Sequence, residues 1–297
     1  MSGGLWAVLS GVSMGVGGLT YRYAATGRVL PIQLNAVLGV CGSILFAWLA
    51  RDQWRDFSLV ACCFGVAGGV SQYAAIWLLR CAMKRGPLAP AWCAMSLGGF
   101  VPVIIFSFLF MGETPSFFQG LSLLCGCGTI AAAAAGQGRR DDRPSGRDAL
   151  RDGAVYAACL VMLLLMIGML NVLLKYATVL HRTNAAQNLL QTQGNVLMTF
   201  VYLGMAGCCI ADLTLHRQWV VNRYALGGGA VCTLGALGTY LIILSVIDLP
   251  AIRIFVLNST ASILTVALGA ALIFREKPTR TWYFVVAFSI LAVVLNR

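Results

Sequence analysis

Residues 86–116, GPLAPAWCAMSLGGFVPVIIFSFLFMGETPS, and residues 249–279, LPAIRIFVLNSTASILTVALGAALIFREKPT, carry one pattern twice. In both stretches a proline opens a long apolar run, which ends in a short turn with a glutamate and a second proline. A shift of 163 positions lays Pro87, Ser96, Glu113 and Pro115 onto Pro250, Ser259, Glu276 and Pro278. The order of these matches predicts a chain built from two similar halves.

The composition indicates where such a chain resides. Charged residues make up 10% of the 297 residues, against about 25% in a typical soluble domain. Four runs without Asp, Glu, Lys or Arg, residues 4–21, 33–50, 57–79 and 87–111, are long enough to cross the roughly 30 Å core of a bilayer as helices. The sequence therefore predicts a polytopic helical membrane protein. The net charge of +11 lies mainly between the apolar runs, as in cytoplasmic loops, so no nucleic-acid partner is expected.

Charge clusters and Pro or Gly breaks divide the chain into ten predicted spans: 4–24, 32–50, 57–79, 87–111, 116–135, 153–176, 184–211, 224–247, 250–274 and 279–296. The predicted fold is an all-α integral membrane protein of two five-helix repeats, residues 1–136 and 153–297, joined by a polar linker at 137–152. Because five is an odd number, the second repeat enters the membrane in the opposite sense. Such inverted repeats are typical of secondary transporters.

Shorter matches extend the repeat toward the amino terminus. Arg22-Tyr23-Ala24 resembles Lys175-Tyr176-Ala177 at a shift of 153, and Gln53-Trp54 matches Gln218-Trp219 at a shift of 165. The halves therefore differ mainly by an insertion between them.

The two quoted stretches, the ten spans and the internal duplication resemble the drug/metabolite transporter (DMT) superfamily, EamA type, over nearly the whole chain. The resemblance implies transport of a metabolite, such as an amino acid, a sugar or a nucleotide derivative, by alternating access. It also implies cytoplasmic termini. The positive-inside rule favours the opposite orientation, because six Lys and Arg residues fall on the side of the termini and fifteen on the other side.

The stretch NAAQNLLQTQGN, residues 184–195, places six side-chain amides in the seventh predicted span. At 100° per residue, five of these amides share one helical face with Tyr202, and only Gln193 points the opposite way. Two interpretations stay open. The polar face either lines a water-filled cavity or forms hydrogen bonds that hold neighbouring helices together.

Polar and aromatic residues of several spans form the predicted solute site. The candidate substrate-binding residues are Gln72, Tyr73, Trp92, Ser96, Asn171, Gln187, Asn188, Gln191, Asn195, Tyr202, Tyr240, Arg253 and Asn258. Amides beside aromatic rings suit a small polar organic solute, which both stacks and forms hydrogen bonds. Arg253 either anchors a carboxylate or phosphate, or extends to the interface or pairs with Asp248.

All ten acidic residues fall in loops or near span ends, and the sequence holds no HExxH motif, no carboxylate pair inside a span and no CxxC spacing. We therefore expect no enzyme, no metal site and no other cofactor.

We expect a secondary transporter of a neutral or zwitterionic solute, such as a sugar, a polyol or an amino acid. The alternatives are an exporter or exchanger of an anionic metabolite anchored by Arg253, and a non-transporting scaffold. The expected partners are membrane lipid and a small-molecule substrate, in a bacterial inner (plasma) membrane. Monomer and homodimer both stay open.

Overall fold

The computed structural model describes residues 2–26, 29–56, 58–83, 88–114, 116–118, 120–121, 123–125, 127–128, 147–177, 189–220, 222–249, 251–273 and 280–295. Its long helices are α1 Ser2–Thr26, α2 Pro31–Leu49, α3 Leu59–Met83, α4 Leu88–Met111, α5 Arg147–Ala177, α6 Leu189–Leu215, α7 Arg223–Cys232, α8 Leu234–Asp248, α9 Ala251–Ile273 and α10 Arg280–Leu295. A short 3₁₀ helix, Gln53–Asp56, follows α2. Because these ranges contain no strand, the all-α prediction is confirmed.

Seven helical segments of the described chain are long and apolar enough to cross a membrane: Gly3–Tyr21, Pro31–Leu49, Leu59–Ala82, Ala154–Ala177, Thr192–Leu215, Arg223–Ser245 and Arg253–Ile273. Large apolar side chains also cover the outside of the bundle. Leu59, Phe110 and Leu226 are each at least 70% exposed, which suits contact with lipid. These features are those of an integral membrane protein. The predicted fifth span, 116–135, falls largely outside the described residues.

Several helix ends follow directly from local sequence. Pro31 opens α2, where its fixed φ suits the first helical position. α4 ends before Gly112, whose φ of +67° is readily adopted by glycine alone. Asn222 caps α7, because its side chain accepts a hydrogen bond of 2.8 Å from the backbone N–H of Ala225.

The structure divides the predicted eighth span, 224–247, into α7 and α8 at Thr233. The Thr233 hydroxyl donates a 2.6 Å hydrogen bond to the carbonyl of Ala230, and such side-chain bonds to the preceding turn bend helices. Residues 227–229 are three consecutive glycines, which weaken the helix just before this point.

The main contacts between helices join the part of the chain before residue 112 to the part after residue 146. α1 packs against α8 and α9, and α2 packs against α6 and α7. α3 packs against α5 and α6, and α4 packs against α5 and α9. Among the described helices, contacts within either part are fewer than contacts between the two parts.

Two GxxxG pairs, Gly11 and Gly15 of α1 and Gly65 and Gly69 of α3, lie at two of these interfaces, where small residues allow close helix contact. A Cβ atom on Gly11 would lie 2.7 Å from the Cβ of Ala261 in α9. A Cβ on Gly69 would meet the carbonyl oxygen of Val201 and lie 2.8 Å from the backbone nitrogen of Met205 in α6. Glycine is therefore required at both places for the backbones to approach.

The order of the contacts along each pair of helices gives their relative directions. α1 is parallel to α9 and antiparallel to α8, while α3 is parallel to α6 and antiparallel to α5. α2 is antiparallel to α6 and parallel to α7, and α4 is parallel to α5. α7 and α8 belong to one continuous span, Arg223–Ser245, and therefore run in the same direction. It follows from these relations that α1 and α5 run in opposite directions. We call the end of the bundle at which α3 and α6 terminate the upper end, and the opposite end the lower end.

We predict that Gly69→Leu lowers the free energy of unfolding by roughly 3 kcal/mol, because the side chain has to separate the backbones of α3 and α6. Gly207→Leu is the matched control. Gly207 also lies in a helix, but a Cβ there would have no atom within 4 Å, so no loss is expected. Thermal unfolding of the two purified variants in detergent checks this. Equal unfolding temperatures would mean that the α3–α6 contact tolerates the larger side chain.

Candidate functional site

A cavity of about 210 Å³ lies at the centre of the bundle. Every helix from α1 to α9 contributes to its wall. The lining residues are Met14, Gly17, Tyr21, Asn35, Leu38, Gln72, Met95, Gly99, Ile167, Leu170, Asn171, Leu174, Met198, Val201, Tyr202, Met205, Cys232, Gly235, Thr239, Ile242, Asn258, Ser259 and Ser262. The cavity is smaller than the 300–1,000 Å³ typical of sites for drug-sized ligands, so it suits a small solute.

Helical periodicity accounts for the longest parts of this lining. α5 contributes Ile167, Leu170, Asn171 and Leu174, and α6 contributes Met198, Val201, Tyr202 and Met205. Both sets follow the i, i+3, i+4, i+7 spacing of one helical face. Every described lining residue therefore lies in a helix.

Four of the predicted site residues line the cavity: Gln72, Asn171, Tyr202 and Asn258. The amide nitrogen of Asn171 donates to the carbonyl of Gly99 at 3.0 Å. The hydroxyls of Tyr202 and Thr239 lie 2.7 Å apart, which joins α6 to α8. The amide nitrogen of Asn258 points to the sulfur of Met14 at 3.6 Å.

Four other predicted residues do not belong to this lining. Tyr73 and Arg253 are partly buried outside it, and Tyr240 packs on Phe46 with ring centroids 6.3 Å apart. Asn195 bonds to the chain that follows α2. Gln187 and Asn188 lie outside the described residues, as do the side chains of Trp92, Ser96 and Gln191.

The described amides of the 184–195 stretch hold α6 to the 3₁₀ helix after α2. The backbone N–H of Asn195 donates to the side-chain oxygen of Gln53 at 3.1 Å, and the amide nitrogen of Gln193 donates to the Gln53 carbonyl at 3.2 Å. The Asn195 amide also donates to the carbonyl of Leu49 at 3.4 Å. The contacts of Gln193 and Asn195 agree with the interpretation in which hydrogen bonds hold neighbouring helices together.

A similar contact lies at the upper end of the same helix pair. The Gln33 side chain of α2 donates to the carbonyl of Val220, just after α6, and accepts from the Val220 N–H at 3.1 Å. Side-chain amides therefore fasten both ends of the antiparallel α2–α6 pair.

Tyr21 and Asn35 line the cavity but are absent from the sequence-based candidates. The amide nitrogen of Asn35 donates to the Tyr21 hydroxyl at 2.7 Å and to the Pro31 carbonyl at 2.8 Å. A polar residue that interrupts an apolar span is the signal that selected Asn171, and the same signal identifies Asn35.

None of the described lining residues is an Asp, Glu, Lys, Arg or His. Buried charges lie instead at the two ends of the bundle. At the lower end, Lys175 lies one turn beyond Asn171 on α5, and its Nζ is 2.7 Å from a carboxylate oxygen of Glu113. Across the described chain, no group of three His, Cys, Asp or Glu side chains is arranged to hold a metal ion.

At the upper end, Asp212 on α6 lies between two basic groups. One carboxylate oxygen is 3.0 Å from Nδ1 of His216, and the other is 3.8 Å from a guanidinium nitrogen of Arg80 on α3. The Asp212 side chain is only 6% exposed. The sequence correctly places Asp212 near a span end, but its burial follows from the packing of α3 on α6.

Comparison with known proteins identifies the fold but no family. No family model matches the chain, and no curated protein matches its sequence. A solved structure described only as "Crystal structure of protein" aligns with a TM-score of 0.73, covering 98% of this chain and 97% of that chain. Because the two chains share 16% identical residues, the similarity shows the fold alone.

We predict that Asp212→Leu lowers the free energy of unfolding by about 3 kcal/mol, because it leaves the mostly buried Arg80 without its carboxylate. The double variant Arg80→Met/Asp212→Leu removes both charges and recovers a large part of this loss. Thermal unfolding of the wild-type protein, both single variants and the double variant measures the coupling. A loss in the double variant equal to the sum of the losses in the two single variants would show that the pair is not coupled.

Proposed function

We propose that this protein is a secondary transporter that moves a small polar, net-neutral solute across a membrane by alternating access. The observation that carries the proposal is the central uncharged cavity. It lies among apolar helices from both parts of the chain, where a solute would be shielded from lipid. In transporters built from internal repeats, the substrate site lies near the bilayer midplane at the interface between the repeats.

The helix directions support two inverted halves. α1 and α5, the first helices of the two proposed halves, run in opposite directions. α4 and α5 run in the same direction, which supports an additional crossing of the chain between them. The sequence predicts such a crossing at residues 116–135, the fifth span.

Individual contacts support the repeat at the level of residues. Gly15 faces Thr265 across the α1–α9 contact, and Gly168 faces Pro102 across the α5–α4 contact. The shift of 153 read from the sequence carries Gly15 to Gly168, and the shift of 163 carries Pro102 to Thr265. This correspondence supports two equivalent interfaces, each of which joins one proposed half to the other.

A second pair of contacts is also related by a shift along the sequence. A Cβ on Gly65 of α3 would lie 3.2 Å from the nitrogen of Val201, and a Cβ on Gly229 of α7 would lie 2.8 Å from a side-chain carbon of Val37. One shift of 164 relates Gly65 to Gly229 and Val37 to Val201. These pairs support a pseudo-twofold arrangement around the cavity and the proposed membership of the EamA-type drug/metabolite transporters.

The lining supports a solute without net charge. Moving an ion into a low-dielectric cavity is costly unless an opposite charge compensates it, and the described lining offers none. Arg253 lies outside the lining, which disfavours the alternative of an anion held by this residue.

The proposal is tested by a thermal-stability screen of the purified protein against a metabolite panel, followed by liposome flux of every stabilising solute. Flux that saturates with concentration supports the proposal. Stabilisation without flux of any solute contradicts it.

We predict that Gly17→Leu abolishes both stabilisation and flux, because a Cβ at Gly17 has no atom within 4 Å and the side chain would occupy the cavity. Gly227→Leu is the matched control, since Gly227 is equally unobstructed but does not line the cavity. Both variants are expected to fold, as monitored by size-exclusion chromatography and thermal unfolding. Unchanged flux in a folded Gly17→Leu protein would place the solute path elsewhere.

A further inference from the structure

The cavity has two chemically different walls. Helices α1, α2, α8 and α9 supply six polar side chains, here called the polar wall, with Met14, Leu38 and Ile242 among them: Tyr21, Asn35, Thr239, Asn258, Ser259 and Ser262. Helices α4, α5 and α6 supply seven apolar side chains, here called the apolar wall: Met95, Ile167, Leu170, Leu174, Met198, Val201 and Met205. The two polar lining residues of these three helices, Asn171 and Tyr202, form hydrogen bonds with Gly99 and Thr239. A solute in the cavity therefore contacts hydrogen-bonding groups on one side and hydrocarbon or thioether groups on the other.

Two residues of the polar wall carry a hydrogen-bond acceptor that has no partner among the described residues. The amide oxygens of Asn35 and Asn258 are buried without a hydrogen-bond partner among the described residues. These residues are 1% and 7% exposed. A buried acceptor without a partner costs free energy, which is recovered when the side chain turns its oxygen toward an N–H or O–H group of a solute.

The two acceptors lie at different heights in the cavity. The Asn35 amide contacts Tyr21, and the Asn258 amide contacts Met14, two turns earlier on α1. Seven residues correspond to about 10 Å along a helix. Donor groups at one end of a small solute therefore reach one of the acceptors at a time. The rest of the solute then contacts the apolar wall.

The apolar wall penalises a solute that is polar all round. Hydroxyl groups that lie against its seven apolar side chains lose their hydrogen bonds to water and gain none from these side chains. Three of its seven side chains are methionines, whose flexible thioethers adapt to apolar groups of different shape. This wall therefore accepts a range of alkyl or aryl groups.

We propose, resting on the transport function above, that the cavity recognises an amphipathic, net-neutral solute of amino-acid size. Its donor-bearing head contacts the polar wall at Asn35 or Asn258. Its alkyl or aryl body contacts the methionine-containing wall of α4, α5 and α6. This assignment excludes sugars and polyols from the solutes that the sequence leaves open.

The test compares solutes of equal shape and different body polarity. L-leucine and L-asparagine share the same head and have nearly isosteric side chains, as do the uncharged pair 4-methylpentanamide and succinamide. D-sorbitol represents the polyols. Dissociation constants are measured with the purified full-length protein by calorimetry or thermal shift. In at least one pair the apolar member is expected to bind at least tenfold more tightly than the polar member and more tightly than sorbitol.

Variants of the two walls test which part of the solute each wall contacts. Met198→Gln and Met205→Gln place a nearly isosteric amide on the apolar wall, and each is expected to lower the preference for the apolar member at least threefold. Met169→Gln is the matched control, because Met169 is an exposed residue of α5 outside the lining. Asn258→Leu is expected to raise the dissociation constants of both members of a pair alike, about tenfold.

Three results would overturn the inference. They are equal or tighter binding of the polar members or sorbitol, absence of binding by all five solutes, and a preference unchanged in both Met→Gln variants. Flux of the same solutes in liposomes reports on transport separately. Binding of leucine without flux would contradict the proposed transport and leave the recognition intact. Flux of the polar members without preference for their apolar partners would support the proposed transport and contradict the proposed recognition.

Discussion

Close contact between helix backbones is the constraint on which this bundle depends. Inside a membrane the lipid chains are as apolar as leucine, so helices associate through packing and small residues more than through a hydrophobic driving force. Gly11 and Gly15 bring α1 onto α9, and Gly65 and Gly69 bring α3 onto α6. Each of these contacts joins the first part of the chain to the second. The cavity exists because these interfaces close around it and leave its centre unfilled.

The polar groups of the described spans serve two different purposes. Gln33, Gln193 and Asn195 bond to backbone near the ends of the α2–α6 pair, where a helix leaves its regular hydrogen bonding. Asn35 and Asn258 lie in the cavity wall and keep an amide oxygen without a partner. Full ionic charges are held near the helix ends, where Arg80 meets Asp212 and Lys175 meets Glu113. This separation keeps the cavity polar but uncharged.

The sequence predicted the all-α fold and most helix bounds, because apolar length and Pro or Gly breaks are local properties. It also selected Gln72, Asn171, Tyr202 and Asn258, since a polar residue inside an apolar span is visible without a structure. The methionine wall was not predictable in this way, because Met198 and Met205 look like any other packing residues until the partner helices are known. The sequence also did not predict the break at Thr233, although three glycines precede it, because the side-chain hydrogen bond of Thr233 is seen only in the structure. The sequence also could not predict the contacts of the Asn195 amide, because they depend on where the end of α2 and the chain after it lie.

The packing of early helices on late ones has a consequence for biosynthesis. α1 ends at Thr26, whereas its partner α8 begins only at Leu234, roughly 200 residues later. At about 5–20 residues per second, the ribosome needs on the order of 10–40 s to complete that interval. Until then α1 lacks its native contacts with α8 and α9. The part of the chain before residue 112 is therefore synthesised before its late partners exist, and the native bundle is completed only as the last helices leave the ribosome.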